Sequence, residues 1–184
     1  MKSGRIIIIS GSPGAGKTSV SKTLAECSGS ELVVYLPMDD FYSYIIKGYV
    51  LPWQMEASEQ NTVLIESIAA SAAQFADGGY EVILDGVFGP WFLNPFLALR
   101  QEGFEVHYIV LRPDEQTIVS RATGRNDEIA LRDTDVVKEM WQAFSDLGEY
   151  EAHAVDSSKQ NINETALCIR QLLNDNKILL PRSG

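Results

Sequence analysis

Apolar β-branched runs alternate with helix-period stretches from one end of this chain to the other. Arg5-Ile6-Ile7-Ile8-Ile9-Ser10 has no polar residue between its ends, the pattern of a strand covered on both faces. Gly16–Ser28 reads as the helix after it, and Leu32–Leu36 as a second short strand. Pro37–Leu51 is irregular and rich in aromatics. A long helix is predicted over Trp53–Ala76, stopped by Asp77-Gly78-Gly79. Tyr80–Asp85 is strand three, followed by a Gly86–Pro90 loop and a helix over Trp91–Glu102 that ends at Gly103. Phe104–Leu111 is strand four, and Pro113 opens a helix over Asp114–Thr123. After the polar stretch Gly124–Arg132, a longer helix is predicted over Asp133–Tyr150, with Asp133 or Thr134 as its cap. His153–Asp156 is a fifth strand, Asn163–Asn174 the last helix and Ile178–Gly184 a tail. This alternation predicts an α/β protein, a three-layer sandwich with a five-stranded parallel sheet, in one domain over residues 1–184.

In such sheets ligands bind beyond the carboxyl ends of the strands. Ser10/Gly11, Asp39/Asp40, Asp85/Gly86, Arg112 and Asp156/Ser157 all follow strands, so they share one rim. The first of these loops carries the most specific chemistry. Gly11-Ser12-Pro13-Gly14-Ala15-Gly16-Lys17-Thr18 fits G-x-x-x-x-G-K-[ST], the phosphate-binding P-loop or Walker A motif, between a strand and a helix as the motif requires. Glycines let successive backbone N–H groups turn inward on phosphate oxygens, and the helix start, including Ser19, adds its positive dipole end. Lys17 is expected to reach the β- and γ-phosphates, and the Thr18 hydroxyl to ligate Mg²⁺. The fold class sharpens to a P-loop NTPase that binds a nucleoside triphosphate, with ATP and Mg²⁺ as cofactors.

Composition narrows the partners. The chain has 184 residues, 45% of them hydrophobic, with 25 Asp and Glu against 15 Lys and Arg, a formal net charge of −10. No Lys/Arg cluster is present, which disfavours a nucleic-acid partner. No apolar stretch is long enough to span a bilayer, and the N-terminal residues have no signal-peptide layout. Cys27 and Cys168 lack metal-type spacing, fall in predicted helices and read as buried thiols. A reduced, cytoplasmic protein without membrane contact is expected. Monomer and homodimer both stay open, with the Asp133–Tyr150 helix as a possible dimer face.

Three further features carry candidate chemistry. Asp85 ends an apolar strand, the Walker-B-like position from which a carboxylate holds Mg²⁺ directly or through water. Phe41, Tyr42, Tyr44, Trp53, Phe88, Trp91 and Phe92 surround the expected acceptor region. Lys47 is the only Lys or Arg between Lys22 and Arg100, so that region lacks the arginine clamp a phosphorylated acceptor requires. His107 and His153 read as structural. A GTPase is disfavoured by the absence of N/T-K-x-D and D-x-x-G motifs.

The P-loop, the segment Arg121-Ala122-Thr123-Gly124-Arg125 and the spacing of strands resemble the nucleoside- and nucleotide-kinase-like small kinases over nearly the whole chain. Within them the chain is similar to the gluconate kinase-like and chloramphenicol phosphotransferase-like proteins and to uncharacterised small ATP-binding proteins. The resemblance implies a short helical lid near residues 124–133. Arg121 would lie against adenine and Arg125 reach the phosphates, with Arg132 neutralising transition-state charge from across the lid. Asp156-Ser157-Ser158 matches the loop that closes over adenine, with Ser157 as a nucleotide contact. Met38-Asp39-Asp40-Phe41-Tyr42 resembles the Asp-x-Phe-Tyr segment of uridine kinase-like enzymes, whose aspartate acts on the acceptor hydroxyl; Asp39 is the matching residue and Asp40 the alternative. The expected activity is ATP-dependent phosphoryl transfer to a hydroxyl of a small molecule, nucleoside- or antibiotic-like. A regulatory nucleotide-binding ATPase is the second reading, and a kinase of a sugar nucleotide is disfavoured by the missing basic pocket.

Overall fold

A computed structural model describes residues 4–123 and 134–182. Its five strands, β1 (Arg5–Ser10), β2 (Val33–Pro37), β3 (Glu81–Asp85), β4 (Glu105–Leu111) and β5 (Ala154–Val155), form one parallel sheet in the order β2-β3-β1-β4-β5. The chain leaves β1 toward β2 on one side and crosses from β3 to β4 on the other. The crevice therefore opens beyond the carboxyl ends of β1 and β3.

The β1 isoleucines explain why the sheet is covered on both faces. Ile6 and Ile8 join Val82, Leu84, Val106 and Tyr108 under α3 (Ser58–Asp77) and α4 (Asn94–Gln101). Ile7 and Ile9 join Ile83, Ile109 and Leu111 under α1 (Lys17–Glu26) and α7 (Ile162–Asn174). The three-layer α/β/α architecture expected from the sequence is present. Among the described residues no helix is long and apolar enough to cross a membrane.

Several boundaries differ from the sequence reading. The segment after β2 is not wholly irregular, since α2 (Met38–Ser43) forms directly after the extended Pro37 and is anchored by the buried Met38. The long helix α3 starts at Ser58, after a 3₁₀ turn over Met55–Ala57. The helix expected over Trp91–Glu102 is likewise split into a 3₁₀ turn at Pro90–Phe92 and α4. Following α5 (Glu115–Thr123), α6 spans Thr134–Ala143 and does not reach Tyr150. Arg112 donates to the carbonyls of Phe144 (3.3 Å) and Ser145 (3.2 Å) and pairs with Glu151, so those carbonyls are satisfied without a further helical turn. Gly148, at φ 58°, then turns the chain into a 3₁₀ segment. Cys27 is exposed just past the end of α1, where a buried thiol was expected, and Cys168 is half-buried.

The tail is packed rather than loose. β5 covers only Val110 and Leu111 of β4, and the C-terminal segment takes the remainder of that edge. Tyr108 N–H donates to the Ile178 carbonyl at 2.9 Å and Leu180 N–H to Val106 at 2.8 Å, while Ile178 and Leu180 are buried. An antiparallel bridge pairs Leu179 with His107. This arrangement leaves fewer open edge groups on the sheet.

Both histidines are buried and hydrogen-bonded within the fold. The buried His153 donates from Nδ1 to the Tyr108 carbonyl at 2.8 Å, and His107 donates from Nε2 to Glu105 at 2.7 Å. Burial holds both below the ordinary value of 6.5; Glu105 opposes the shift at His107, and the Tyr108 carbonyl opposes it at His153. An unfolded chain thus binds more protons than the folded one just below pH 6.5, so the contribution is present above that value and lost as pH falls through the folded pKa values. The urea midpoint is expected to be lower at about pH 5.5 than at about pH 8, before the carboxylates titrate. Equal midpoints would rule this out.

Candidate active site

The loop between β1 and α1 depends on glycine at defined points. Gly11 has φ 141°, and a Cβ there would lie 2.4 Å from the Leu111 carbonyl oxygen of β4. Gly14 and Gly16 have φ 85° and 92°. Only glycine adopts these conformations without strain. The loop turns on the Ala15 N–H, which donates to the Ser12 carbonyl at 3.2 Å, with both residues buried. Pro13 is half-buried, and Thr18 and Ser19 are exposed in the first turn of α1. Lys17 Nζ donates to the Ser12 carbonyl at 3.1 Å, which holds the ammonium over the loop.

Helix α1 begins without a side-chain cap among the described residues and without an acidic residue in its first turn. Helix α7, by contrast, starts on a complete capping box between Asn161 and Glu164. The first amides of α1 are therefore directed to whatever anion the loop receives. Glycine cradle, lysine and open helix start together fit nucleotide phosphates.

β3 brings Asp85 to the same place. Its carboxylate is buried and accepts from the Tyr35 phenol of β2 at 2.8 Å. Burial, and then the Asp85 carboxylate, push the Tyr35 pKa well up, so the phenol stays a donor. Thr18, Lys22, Tyr35, Asp39, Asp40 and Asp85 line one cavity of about 360 Å³. The Thr18 hydroxyl and Asp85 carboxylate are hard oxygen donors on this one cavity, the type Mg²⁺ takes. Asp39 and Asp40 are exposed in the first turn of α2, and both line the cavity. A larger cavity of about 660 Å³, at the opposite end of the sheet around the Arg5–Glu81 ion pair, holds none of these groups.

Close packing brings the β2 and β3 loops together. A Cβ on Gly86 would stand 2.5 Å from the Met38 Cβ, so glycine at 86 lets the start of α2 approach the end of β3. The buried Ser10 Oγ donates to the Phe88 carbonyl (2.8 Å) and accepts from its N–H (3.0 Å), and the Tyr108 phenol donates to the same carbonyl at 2.7 Å.

On the other side, Arg121 reaches back from the end of α5. It donates to the Ser157 carbonyl at 3.4 Å, and its Nη1 would lie 3.9 Å from a Cβ on Gly16. The P-loop, Arg121 and Ser157 are thus neighbours. Ser157 is buried, and its hydroxyl has no partner among the described residues. The adjacent Ser158 is fixed by Asp156 and accepts from the Asp114 N–H at 2.8 Å. Arg125, Arg132 and the expected lid at 124–133 lie outside the described residues.

The aromatic group does not form one pocket. Phe88 is in the core, and Tyr42 is buried, donating to Asn61 at 2.8 Å. Tyr44, Trp53 and Trp91 are exposed, and Phe41 and Phe92 are half-buried. Sequence reasoning missed Tyr35 and Lys22 as lining residues, although period-two alternation in β2 puts Tyr35 on the α1 face. It also missed Gln60, which ties the loop after α2 by two bonds to Val50 (2.9 and 2.8 Å).

Comparison with protein families matches residues 4–174 to the chloramphenicol phosphotransferase-like proteins. The chain belongs to that family. No match is found among curated protein sequences. Among solved structures it is similar to a sugar kinase from Janibacter sp. HTCC2649, with 18% identity and TM-score 0.69 over 93% of this chain and 95% of that one. A gluconokinase from Sinorhizobium meliloti 1021 gives 18% and 0.67 over 95% of each chain. An APS kinase from Mycobacterium tuberculosis, in complex with AMPPNP and APS, gives 15% and 0.71 over 95% and 99%. The shared feature is the P-loop kinase fold.

Gly11→Ala is expected to cost about 3 kcal/mol or more of stability, from backbone strain and the clash with Leu111. Gly29→Ala, where a Cβ meets no atom within 4 Å among the described residues, is the control. Chemical denaturation of both checks this, and equal midpoints would contradict the close approach.

Proposed function

We propose that this protein is a kinase that transfers the γ-phosphoryl group of Mg²⁺-ATP to a hydroxyl of a small, non-phosphorylated acceptor. The observation that carries the reading is the single cavity lined by Thr18, Asp85, Asp39 and Asp40 at the start of α1. It puts phosphate-side and acceptor-side groups within one space, as in-line transfer requires. Membership of the chloramphenicol phosphotransferase-like family supports the same reaction class.

In this reading the loop amides and Lys17 hold the triphosphate, while Arg121 and the Ser157 loop flank the nucleotide. Thr18 and Asp85 are the residues that would hold Mg²⁺, whose chemistry there is neutralisation of charge on the phosphate oxygens. Asp39 accepts the proton of the acceptor hydroxyl as its oxygen bonds to the γ-phosphorus and the bond to the β–γ bridging oxygen breaks, releasing ADP. Asp40 lines the same cavity and is the neighbouring carboxylate for that role. Lys47 is the only basic residue between Lys22 and Arg100, which favours an acceptor without phosphate or carboxylate, such as a nucleoside or a hydroxyl-bearing antibiotic.

The test is acceptor-stimulated ADP release with nucleosides, sugars, sugar acids and hydroxyl-bearing antibiotics. Asp39→Asn is expected to lower stimulated turnover by about 10²- to 10⁴-fold while leaving nucleotide affinity unchanged. Lys17→Ala is expected to weaken nucleotide binding itself by about tenfold to a hundredfold. Nucleotide binding without stimulation by any acceptor would favour a regulatory ATPase instead.

A further inference from the structure

Tyr35 has no role in the reaction as drawn above, yet it makes the one side-chain hydrogen bond to Asp85 among the described residues. Strand register explains how it gets there. Tyr35 pairs with Ile83 and Pro37 with Asp85, so Tyr35 and Asp85 are diagonal neighbours on one face of the sheet. Diagonal positions are about 7–8 Å apart, a span a tyrosine covers and a short side chain does not. The face is the one under α1, because Tyr35 and Ile83 pack in the same cluster as Val20 and Leu24 of that helix. Thr18 stands in the first turn of α1.

The bond is not needed to hold the strands together. β2 and β3 already pair over five residues, Val33 with Glu81 through Pro37 with Asp85. What lacks support without it is the Asp85 carboxylate. The residue is only 5% exposed, and a carboxylate with so little water needs a donor to fix its orientation and offset its lost hydration. The phenol engages Oδ2, which leaves Oδ1 as the oxygen free for another partner.

We propose that Tyr35 is a positioning residue for the metal side of this site: its phenol fixes the Asp85 carboxylate within the cavity shared with Thr18, so that the carboxylate is oriented before Mg²⁺-nucleotide binds. The inference rests on reading Asp85 as the metal-side carboxylate. It also links the two halves of the reaction, since the chain passes from Tyr35 of β2 to Asp39 of α2, four residues later, at the acceptor side. The edge strand thus carries the support for the metal side and leads directly into α2, which carries the carboxylate for the acceptor.

The test is binding of AMPPNP by calorimetry, with and without Mg²⁺, to the wild-type protein, Tyr35→Phe and Asp85→Asn. Thermal midpoints are read on the same samples. The quantity of interest is the factor by which Mg²⁺ tightens binding. Tyr35→Phe keeps the ring and removes only the donor, so it is expected to shrink that factor about tenfold, the weight of one hydrogen bond to a charged group. Metal-free affinity stays as in the wild type, the thermal midpoint falls because the buried carboxylate loses its donor, and Asp85→Asn loses the factor as well. If Tyr35→Phe keeps the full factor while Asp85→Asn loses it, Tyr35 has no positioning role and the metal-side reading of Asp85 stands. If Asp85→Asn keeps it too, both the inference and that reading fail. Equal weakening with and without Mg²⁺ would mark the bond as merely structural and overturn the proposal.

Discussion

The buried hydroxyl of Ser10 is the point on which the site turns. It both donates to and accepts from the Phe88 backbone, and the Tyr108 phenol closes on the same carbonyl. Ser10 is the last residue before the P-loop, and Phe88 lies three residues after Asp85. Two loops leaving adjacent strands are thereby held at one spacing by three bonds with almost no water near them. Each is worth about 1 kcal/mol net, but a lost partner would leave buried polar atoms unsatisfied at greater cost. Gly86 completes the constraint by letting Met38 pack against the end of β3. Fix those contacts, and the phosphate loop, the β3 carboxylate and the α2 carboxylates converge on one cavity.

Two helices that start at the same rim of the sheet use their first turns in opposite ways. α7 begins on a reciprocal capping box, so its first amides are satisfied within the protein. α1 has Gly16 in the left-handed region, no side-chain cap among the described residues and Lys17-Thr18-Ser19 as its first turn. By local rules α1 is the poorer helix. Its packing against β2, β3 and α7 supplies what capping does not, through Val20 and Leu24. Departure from local preference at one helix, with compliance at the other, is what a functional terminus looks like against a structural one.

The sheet was legible because its strands are nearly unbroken apolar runs, and a parallel sheet covered on both faces demands such runs. Gly11–Thr18 was legible because backbone geometry forces its glycines and chemistry its lysine. Boundaries set by long-range contacts were not. The end of α6 depends on Arg112, more than thirty residues earlier, whose guanidinium takes the Phe144 and Ser145 carbonyls. The packed tail depends on β5 being only two residues long, which leaves the Val106–Tyr108 edge open for Ile178–Leu180. Cys27 was misjudged because α1 ends at Glu26, two residues before the Ser28 expected from the sequence, and the thiol past that end is exposed. At the site, Asp39 and Asp85 are visible as acids after strands. Tyr35 is hidden in the sequence because its role follows from a diagonal register with β3, which one strand's pattern does not contain.

Strand order also divides the charge of the crevice. On the β1–β4 side stand Lys17, the open start of α1 and Arg121 beside Gly16. On the β2–β3 side stand Asp39, Asp40 and Asp85, with Lys22 as the one basic lining residue. In the proposed reaction the first side would draw the triphosphate, and the carboxylates of the second would repel it where no cation intervenes. On the same reading, that acidic side would disfavour an anionic acceptor, whose charge would add to three carboxylates with no arginine between residues 23 and 99 to offset it. Lys17 at the start of α1 and Arg121 near the end of α5 thus put local positive charge on a protein of net charge −10. In the proposed reaction, the nucleotide's orientation and a preference for an uncharged acceptor would share one cause, the order in which the strands lie.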